Sequence, residues 1–264
     1  MWSVRAVGTL RVLPCKTAER SKHETNKGWL MIGREYFREE RRSLSEQAYL
    51  ALREAIITLR LEPGQMVYES ELAEVLDMSR TPIREAIRTL VADDLIEVLP
   101  QRGMKVSLIS LTKVEEVRIV REVLEVDALK AGINRWNMVS DSREELPSVV
   151  ESCLAWQQRA AARGDIKDFL DADEAFHRAI VMAGNNRTLQ GIVTQMRAHL
   201  NRVRLLSVRK LENFYGLIDE HTALYQSIEH GDQAQALSIL THHLRRLVLD
   251  LPRVQAEFPH YFTV

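Results

Sequence analysis

The sequence predicts a mainly α-helical protein built from two domains, and three observations support this. Apolar residues make up 45% of the 264-residue chain and charged residues 28%, with only 11 Gly and 7 Pro, which is typical of a helix-rich globular protein. Apolar side chains recur at helical spacing from residue 43 to about residue 250. The one pair of strand-like runs lies between residues 96 and 108, where it separates two helical regions.

Charge and cysteine content narrow the class of protein. The net charge is −1, from 36 basic and 37 acidic residues, so a nucleic-acid partner must be argued from the placement of charges and not from their sum. Cys15 and Cys153 stand far apart, which excludes a disulfide framework and indicates a reducing compartment. No run approaches the roughly 18 apolar residues of a membrane span, and Arg5 and Arg11 interrupt the N-terminal stretch where a signal peptide is apolar. We therefore expect a cytoplasmic protein.

Residues 1–42 are predicted to form a flexible basic extension. They show no sustained periodicity, and their ten basic residues outnumber five glutamates. Two interpretations stay open, because the extension either is solvated without a binding role or holds phosphate groups. Natural translation from Met31 would remove most of it.

Residues 43–109 are predicted to form the first folded domain. Ser43 and Glu46 have capping-box spacing and start a helix that Pro63 and the glycine after it end. The stretch "SELAEVLDMSRTPIREAIRTL" then predicts a short helix, a tight break at residues 77–79 and a second helix. This order is a helix-turn-helix.

Two short strand-like runs follow at residues 96–99 and 104–108. They are joined by "PQRG" at residues 100–103, whose glycine permits a tight turn. A β-hairpin in this position forms a wing beside the helix-turn-helix.

The second helix of the pair carries a stripe of arginines. Arg80, Arg84 and Arg88 stand at i, i+4 and i+8, opposite an apolar face that is predicted to pack inward. Arginine bonds guanine bidentately or clamps a phosphate, so this helix is suited to enter a DNA groove. The hydroxyls of Ser79 and Thr81 at the helix start suit a phosphate. The alternative is a surface helix whose arginines are only solvated.

The stretch "LEPGQMVYESELAEVLDMSRTPIREAIRTLVADDLIEVLPQRGMKV" resembles the winged-helix domain of the GntR family of bacterial transcriptional regulators. The resemblance implies DNA contacts by the residues that match its S-R-T-P-x-R-E-A motif and by the tip of the wing. These residues are Ser79, Arg80, Thr81, Arg84, Arg102 and Gly103, and Arg88 is added from its position on the stripe alone. We expect a homodimer that binds a pseudo-palindromic operator in double-stranded DNA.

Residues 110–252 are predicted to form an all-α antiparallel bundle of about six helices, followed by a C-terminal tail over 253–264. Thr112 and Glu115 have capping-box spacing at the start of the first of these helices. Polar or glycine-containing segments mark the breaks between helices, at residues 140–142, 164–165, 184–186, 213–216 and 231–232.

A group of metal-ligating residues lies in the apolar stripes of these helices. Asp173 and His177 stand four residues apart and so share a helix face, a pairing that is usually structural. His221 and His243 change this interpretation, because each lies in the apolar stripe of its own helix. Burying three imidazoles and a carboxylate without partners is costly, and one metal ion satisfies all four. The ligand set suits zinc, nickel, cobalt, manganese or iron without selecting among them.

Arg121 also lies in an apolar stripe, where an unpaired guanidinium would be costly. Two interpretations stay open. Either Arg121 forms a buried salt bridge with Glu125 or Asp173, or it binds a small carboxylate effector together with the metal. His199, His230 and His242 are not predicted to be ligands.

The second half of the chain resembles the FCD ligand-binding domain of FadR-type GntR regulators, in its VanR-like subgroup. The matches are R-x-x-L-E at residues 121–125, the Asp173 and His177 pair, Glu220 with His221, and His243. The resemblance implies metal ligation by Asp173, His177, His221 and His243, an organic acid effector nearby, and a repressor that the effector releases from DNA.

Three alternatives accompany this expectation. In the first, the metal itself is the signal; in the second, the metal site only stabilises the bundle. In the third, the protein is a metal-dependent enzyme in which Glu174 or another acid serves as a base. The enzyme alternative leaves the arginine-striped winged helix unexplained, so we expect a regulator and not an enzyme.

Overall fold

The computed structural model describes residues 42–138, 142–211 and 213–263, which form two domains. The basic extension predicted over residues 1–42 lies outside the described residues, apart from Arg42. Among the described residues, no helix has both the length and the apolar character needed to cross a membrane.

The first domain is a helix-turn-helix with a wing, as the sequence predicts. Its elements in chain order are α1 (Leu44–Ile57), β1 (Met66–Val67), α2 (Glu69–Val75), α3 (Arg80–Ala92), β2 (Ile96–Leu99) and β3 (Gly103–Val106). The strands form an antiparallel sheet in the order β1-β3-β2. Strand β1 is not predicted, because two residues are too short to show an alternating pattern.

Helix α1 begins as predicted and ends earlier. The Ser43 hydroxyl accepts a hydrogen bond from the backbone N–H of Glu46 at 3.2 Å. The helix ends at Ile57, well before Pro63, because the chain turns at Leu59, whose φ is 56°. This turn places Leu59 and Leu61 in two different apolar cores.

Helix α3 buries the predicted apolar face against α1. A buried isoleucine or leucine side chain stabilises a fold by about 1.5–3 kcal/mol relative to an exposed one, so these contacts fix the orientation of the opposite face. The buried residues of α3 are Pro82, Ile83, Ala86, Ile87 and Leu90.

Six helices form the second domain in the described part of the chain. They are α4 (Leu111–Met138), α5 (Ser142–Arg163), α6 (Ile166–Ala183), α7 (Arg187–Leu211), α8 (Phe214–Glu229) and α9 (Gln233–Glu257). Their breaks fall at or next to the predicted positions, except that residues 214–216 of the break predicted at 213–216 belong to α8. The hydroxyl that accepts a bond at the start of α4 is that of Ser110, from the N–H of Lys113, and not that of Thr112. The boundary placed at residue 253 falls inside α9, which continues through Pro252.

Helix α4 packs against α6, α7 and α9. Its approach to α6 is close, because a Cβ added at Gly132 would lie 2.9 Å from the Cβ of Ala183. A larger residue at Gly132 would separate the two helices. The close packing brings the middle of α4 against the middle of α6, where Asp173 and His177 lie.

The two domains share contacts through the linker and the C-terminal tail. The tail forms a short 3-10 helix at Pro259–Tyr261 and then a parallel bridge between Phe262 and Ile109. The N–H of Ile109 donates to the carbonyl of Tyr261 at 2.8 Å, and the N–H of Thr263 donates to the carbonyl of Ile109 at 3.0 Å. The tail therefore fixes the residue at which the chain passes from the wing to α4.

Candidate metal centre and DNA-contacting surface

The structure brings together the four residues predicted to bind a metal. Asp173 and His177 come from α6, His221 from α8 and His243 from α9, and all four are buried. One ligand atom from each lies within 4.8 Å of the others. We call this group the cage.

The imidazoles meet through their Nε2 atoms. Nε2 of His243 lies 3.0 Å from Nε2 of His177 and 3.3 Å from Nε2 of His221. Asp173 lies slightly further away, with carboxylate oxygens 4.0 Å and 3.8 Å from the Nε2 atoms of His177 and His221. Two nitrogens bound to one ion lie about 3.0–3.4 Å apart, because metal–nitrogen bonds are about 2.0–2.1 Å long.

Each of these histidines has an acceptor at its other ring nitrogen, Nδ1. The pairs are His177 with Glu125 (3.0 Å), His221 with Gln157 (2.9 Å) and His243 with Glu220 (2.7 Å). An imidazole that donates from Nδ1 keeps its lone pair on Nε2, and metal-binding histidines are usually held in this way. Three lone pairs therefore converge, and neutral imidazoles in this tautomer cannot satisfy one another.

Burial keeps His177 and His221 neutral, which is the form of histidine that binds a metal. Burial lowers the pKa of His177 to about 3, although Glu125 opposes the shift. The pKa of His221 is also well below its usual value; burial is the main cause, and the neighbouring His243 is the second.

Asp173 is ionised and not saturated with hydrogen bonds. Burial alone would raise the pKa of its carboxyl, but the ion pair with Arg204 and the nearby histidines lower it below the usual range. Neither carboxylate oxygen has a hydrogen bond of normal geometry. The carboxylate, whose only close partner among the described residues is the guanidinium of Arg204, and the converging lone pairs fit a divalent cation.

A network of buried charges lies beside the cage. Glu125, which is fully buried, accepts from Nε of Arg121 at 2.6 Å and from Nη2 of Arg197 at 3.2 Å, in addition to His177. The buried salt bridge predicted as one alternative for Arg121 is therefore present, and its partner is Glu125. However, Nη2 of Arg121 is buried without an acceptor.

The buried charges around the cage do not balance. Two buried carboxylates, Glu125 and Asp173, face three largely buried guanidinium groups, those of Arg121, Arg197 and Arg204. This group has one surplus positive charge before a cation is added, and a divalent ion increases the surplus. An anion is the ligand that such a site favours.

Four residues around the cage were not predicted from the sequence to belong to this centre. Arg197 and Arg204 stand seven residues apart in the apolar stripe of α7, so the argument used for Arg121 could have found them. Gln157 carries no comparable signal, because glutamine is frequent on helix surfaces, and Glu220 was noted only as part of the motif match with His221. Glu174, the base of the enzyme alternative, lies outside the cage and accepts from Asn201 at 2.9 Å.

In the first domain, the arginine stripe faces outward as predicted. Arg80, Arg84 and Arg88 are exposed on α3, as are Ser79 and Thr81 at its start. Ser79 is the N-cap residue but makes no side-chain capping bond, so its hydroxyl is available to a ligand.

An ion pair on α3 and the backbone of the wing turn further define this surface. Arg84 forms an ion pair with Glu69 at 2.8 Å, which holds its guanidinium against the first turn of α2. In the wing, Arg102 is exposed. Gly103 has a φ of 103°, a backbone conformation that residues with a side chain adopt only with strain. The predicted turn therefore requires its glycine.

Helix α7 connects the cage to the first domain. Arg197 and Arg204 face the cage, whereas other residues of the same helix bond the first domain. Nε2 of Gln195 donates to Oδ1 of Asp93 at 3.0 Å, and Nη1 of Arg202 donates to the carbonyl of Ser107 at 2.8 Å. Asp93 directly follows α3, and Ser107 directly follows β3.

His199 strengthens this junction. Its side chain is buried outside the cage, and its Nε2 lies 2.9 Å from the carbonyl oxygen of Asp93. The pKa of His199 is lowered to about 4, mainly by burial and secondly by the charge of Arg202, so the ring is neutral at pH 7. The burial of His199 at a domain junction is not evident from the sequence, which places it near charged residues.

Two family models match the chain, one for each domain. The model described as "Bacterial regulatory proteins, gntR family" matches residues 44–106, and the FCD domain model matches residues 116–246. The first match spans α1 to β3, and the second contains Arg121 and all four cage residues.

Similar proteins are transcriptional regulators. An HTH-type transcriptional regulator of Streptomyces ambofaciens is 29% identical over 224 residues, covering 81% of this chain and 87% of that protein. The HTH-type transcriptional repressor RspR of Escherichia coli (strain K12) is 24% identical, covering 83% and 94%. The gluconate operon transcriptional repressor of Bacillus subtilis (strain 168) is 26% identical, covering 72% and 77%.

Solved structures share the fold. The E. coli McbR/YncC structure has a TM-score of 0.68 at 21% identity and covers 82% of this chain and 99% of that chain. A GntR transcriptional regulator from Rhodococcus sp. RHA1 has a TM-score of 0.67 at 23% identity, covering 79% and 97%. The family model of the first domain and the relatives are those of transcriptional regulators, which supports a regulator over the enzyme alternative. The chain is a transcriptional regulator that belongs to the GntR family and carries an FCD domain.

Proposed function

We propose that this regulator is a repressor whose binding to its operator is controlled by a small carboxylate, and that the carboxylate binds at a divalent metal ion in the cage. The observation that carries the proposal is the convergence of three Nε2 lone pairs and the Asp173 carboxylate beside an unsatisfied buried donor of Arg121. The relatives whose names include a function are a repressor in Escherichia coli and the gluconate operon repressor in Bacillus subtilis.

Asp173, His177, His221 and His243 would hold the ion, and Glu125, Gln157 and Glu220 would orient the imidazoles. When bound, the ion supplies a positive charge and open coordination positions for a carboxylate oxygen. Zinc, nickel, manganese, cobalt and iron all accept this ligand set.

Arg121 would bind the other end of the effector. Its Nε is occupied by Glu125, and its free Nη2 donor satisfies a second carboxylate oxygen. The surplus positive charge of the buried network favours the anion over a neutral analogue.

The signal would pass through α7. Glu125 accepts hydrogen bonds from both Arg121 and Arg197 of α7. An effector that binds Arg121 would weaken the bond between Arg121 and Glu125, and Glu125 would then interact more strongly with Arg197. A shift of α7 changes the bonds of Gln195 and Arg202 to the residues that follow α3 and β3. The effector can displace the protein from DNA only to the extent that it binds one arrangement of α7 more tightly than the other.

On the DNA side, the exposed arginines of α3 would read bases in the major groove, and the wing would contact the backbone or the adjacent groove. Ser79 and Thr81 would hold a phosphate at the start of α3. We place the protein in the cytoplasm, with its operator.

A homodimer is part of the proposal, and α4 offers the surface for it. Ile119, Val120 and Val123 are exposed on one face of α4, at 48%, 41% and 63% of their accessible area. If two copies of α4 cross antiparallel at Val123, Glu116 of one copy lies opposite Lys130 of the other. The same patch is then complementary to itself, as a two-fold interface requires.

We expect Val123→Asp to convert the dimer to a monomer, because it places two like charges at the two-fold axis. Light scattering after size exclusion measures the mass, and the operator affinity falls with it because each half-site then binds alone. Val149→Asp, which adds the same charge at an exposed valine of α5, should remain a dimer. A Val123→Asp dimer of unchanged stability would refute this interface.

The proposed effector control is tested by a thermal-shift screen of small carboxylates with and without a chelator. A true effector should raise the melting temperature of the metal-loaded protein by about 5–10 °C at a hundred times its Kd, and should release the operator at the same concentration. Arg121→Lys keeps a cation beside Glu125 but removes the second donor, so it should lose at least about tenfold in effector affinity.

Three outcomes would contradict the proposal in different ways. If operator binding responds to the chelator and to no carboxylate, the protein senses the metal. If a carboxylate stabilises His243→Ala as well as it stabilises the wild type, the metal has no part in effector binding. If Arg121→Lys binds the effector normally, Arg121 serves only the salt bridge with Glu125.

A further inference from the structure

A cleft separate from the cage lies between the two domains. Its volume is about 660 Å³, within the range of small-molecule sites. One wall is α1 of the first domain, with Tyr49 and Arg53, and the others are α6 and α7 of the second domain.

The cleft is strongly basic. Four arginines line it, Arg53, Arg178, Arg187 and Arg197, against one carboxylate, that of Glu174. The carboxylate is already engaged, because Glu174 accepts from Asn201 at 2.9 Å and lies 3.9 Å from Nη1 of Arg197. Arg197 is also paired with Glu125 at 3.2 Å, so the positive charge that remains in the cleft is that of Arg53, Arg178 and Arg187.

Arg197 gives the cleft a buried donor. Only 4% of its accessible area is exposed, and its Nε has no hydrogen-bond acceptor. A buried donor without an acceptor is energetically unfavourable, so a ligand that accepts a hydrogen bond there stabilises the site. At the rim, Arg178 and Arg187 are exposed and form no ion pair within the described part of the chain.

The same three helices also contribute apolar side chains to the cleft. Leu50, Val181 and Val193 line the cleft beside the ring of Tyr49. A site with a basic rim, a buried donor and an apolar wall fits an organic anion better than an inorganic ion, because the apolar body of the ligand covers the wall.

We propose that this interdomain cleft binds a small organic molecule with a doubly charged anionic group, a phosphate ester or a dicarboxylate, independently of the metal cage. Arg197 would bond the anion from the inside, and Arg178 and Arg187 would close over it from the rim.

The position of the cleft gives such a ligand a route to the DNA-binding domain. Tyr49 donates to Oδ2 of Asp93 at 2.7 Å, and Gln195, which also lines the cleft, donates to Oδ1 of the same residue. Asp93 directly follows α3, so a ligand that contacts both domains here holds the junction at the end of the recognition helix. The proposal does not depend on a metal or on an effector in the cage.

The test uses the full-length protein, with metal and after chelation, titrated with phenyl phosphate and with phthalate at constant ionic strength. Calorimetry should detect one site per chain for at least one probe, and the preferred probe distinguishes a phosphate ester from a dicarboxylate. The double variant Arg178→Glu with Arg187→Glu should weaken binding at least about tenfold. Chelation and His243→Ala should not change it.

The matched control is Arg159→Glu, which reverses the charge of an exposed arginine on α5 outside the cleft. Binding that survives in the double variant, or that falls equally in the control, would overturn the proposal. Binding that disappears on chelation would assign the probe to the cage instead. The absence of binding by both probes up to about 10 mM would exclude this class of ligand.

Discussion

Replacement of Arg84 by alanine is expected to weaken binding to the specific operator by at least about a hundredfold. A bidentate arginine contact to guanine is worth about one to two orders of magnitude in discrimination, and a dimer loses two such contacts. Arg84 is exposed on the outward stripe of α3, opposite its buried face, so its removal leaves the fold intact. A fluorescence titration with operator and with unrelated duplex DNA measures the effect.

The ion pair between Arg84 and Glu69 provides the control. Glu69→Gln removes the carboxylate that holds the guanidinium at 2.8 Å but leaves the arginine, so it should keep or increase operator affinity. Arg84→Ala should also bring specific and unrelated DNA close to equal affinity, because base contacts specify and phosphate contacts only position the protein. If Arg84→Ala weakens both DNAs equally, Arg84 contacts a phosphate; if it weakens neither, α3 is not the reading helix.

Replacement of His243 by alanine is expected to abolish metal binding and to lower the melting temperature. The three remaining ligands would come from only two helices, α6 and α8, so the ion would no longer link α9 to the bundle. When the free ion concentration is a hundred times its Kd, binding raises the free energy of unfolding by about 2.7 kcal/mol. For a domain of this size, its loss lowers the melting temperature by about 5–10 °C. Elemental analysis should fall from about one ion per chain to almost none.

The neighbouring histidine is a matched control. His242 is on the same helix but exposed, so His242→Ala should keep the metal and the melting temperature. Chelation should bring the wild type down to the melting temperature of His243→Ala and should leave the variant unchanged. A His243→Ala protein that retains its ion refutes the cage. If His243→Ala is less stable than the chelated wild-type protein, the additional loss of stability comes from packing at His243 and not from the metal.

Much of the fold was predictable because its elements have strong local signals. The capping bond of Ser43, the left-handed glycine of the wing and the glycine-containing breaks after α5, α6 and α8 depend on residues close together in the chain. The elements that were missed depend on distant residues. Strand β1 exists because β3 pairs with it, and α1 ends at Ile57 because Leu59 and Leu61 enter different cores.

The candidate metal centre follows the same division. Asp173, His177, His221 and His243 were predicted because a polar residue inside an apolar stripe is conspicuous on its own helix. The distances between their ligand atoms depend on how α6, α8 and α9 pack. So do the acceptors at each Nδ1, which decide where the lone pairs point.

The sequence by itself determined the order of the helices and the wing, the outward stripe of α3 and the identity of the polar residues that face the core. Helical spacing places each side chain on a face of its own element, and this needs no knowledge of the neighbours. Only the tertiary structure decided which faces meet. It gave Glu125 two partners from other helices, His177 and Arg197. It also made α7 the contact between the cage and the first domain, and it placed basic residues of both domains around one cleft. The reason is that the packing of helices brings together residues that are remote in sequence, and no local pattern records these distances.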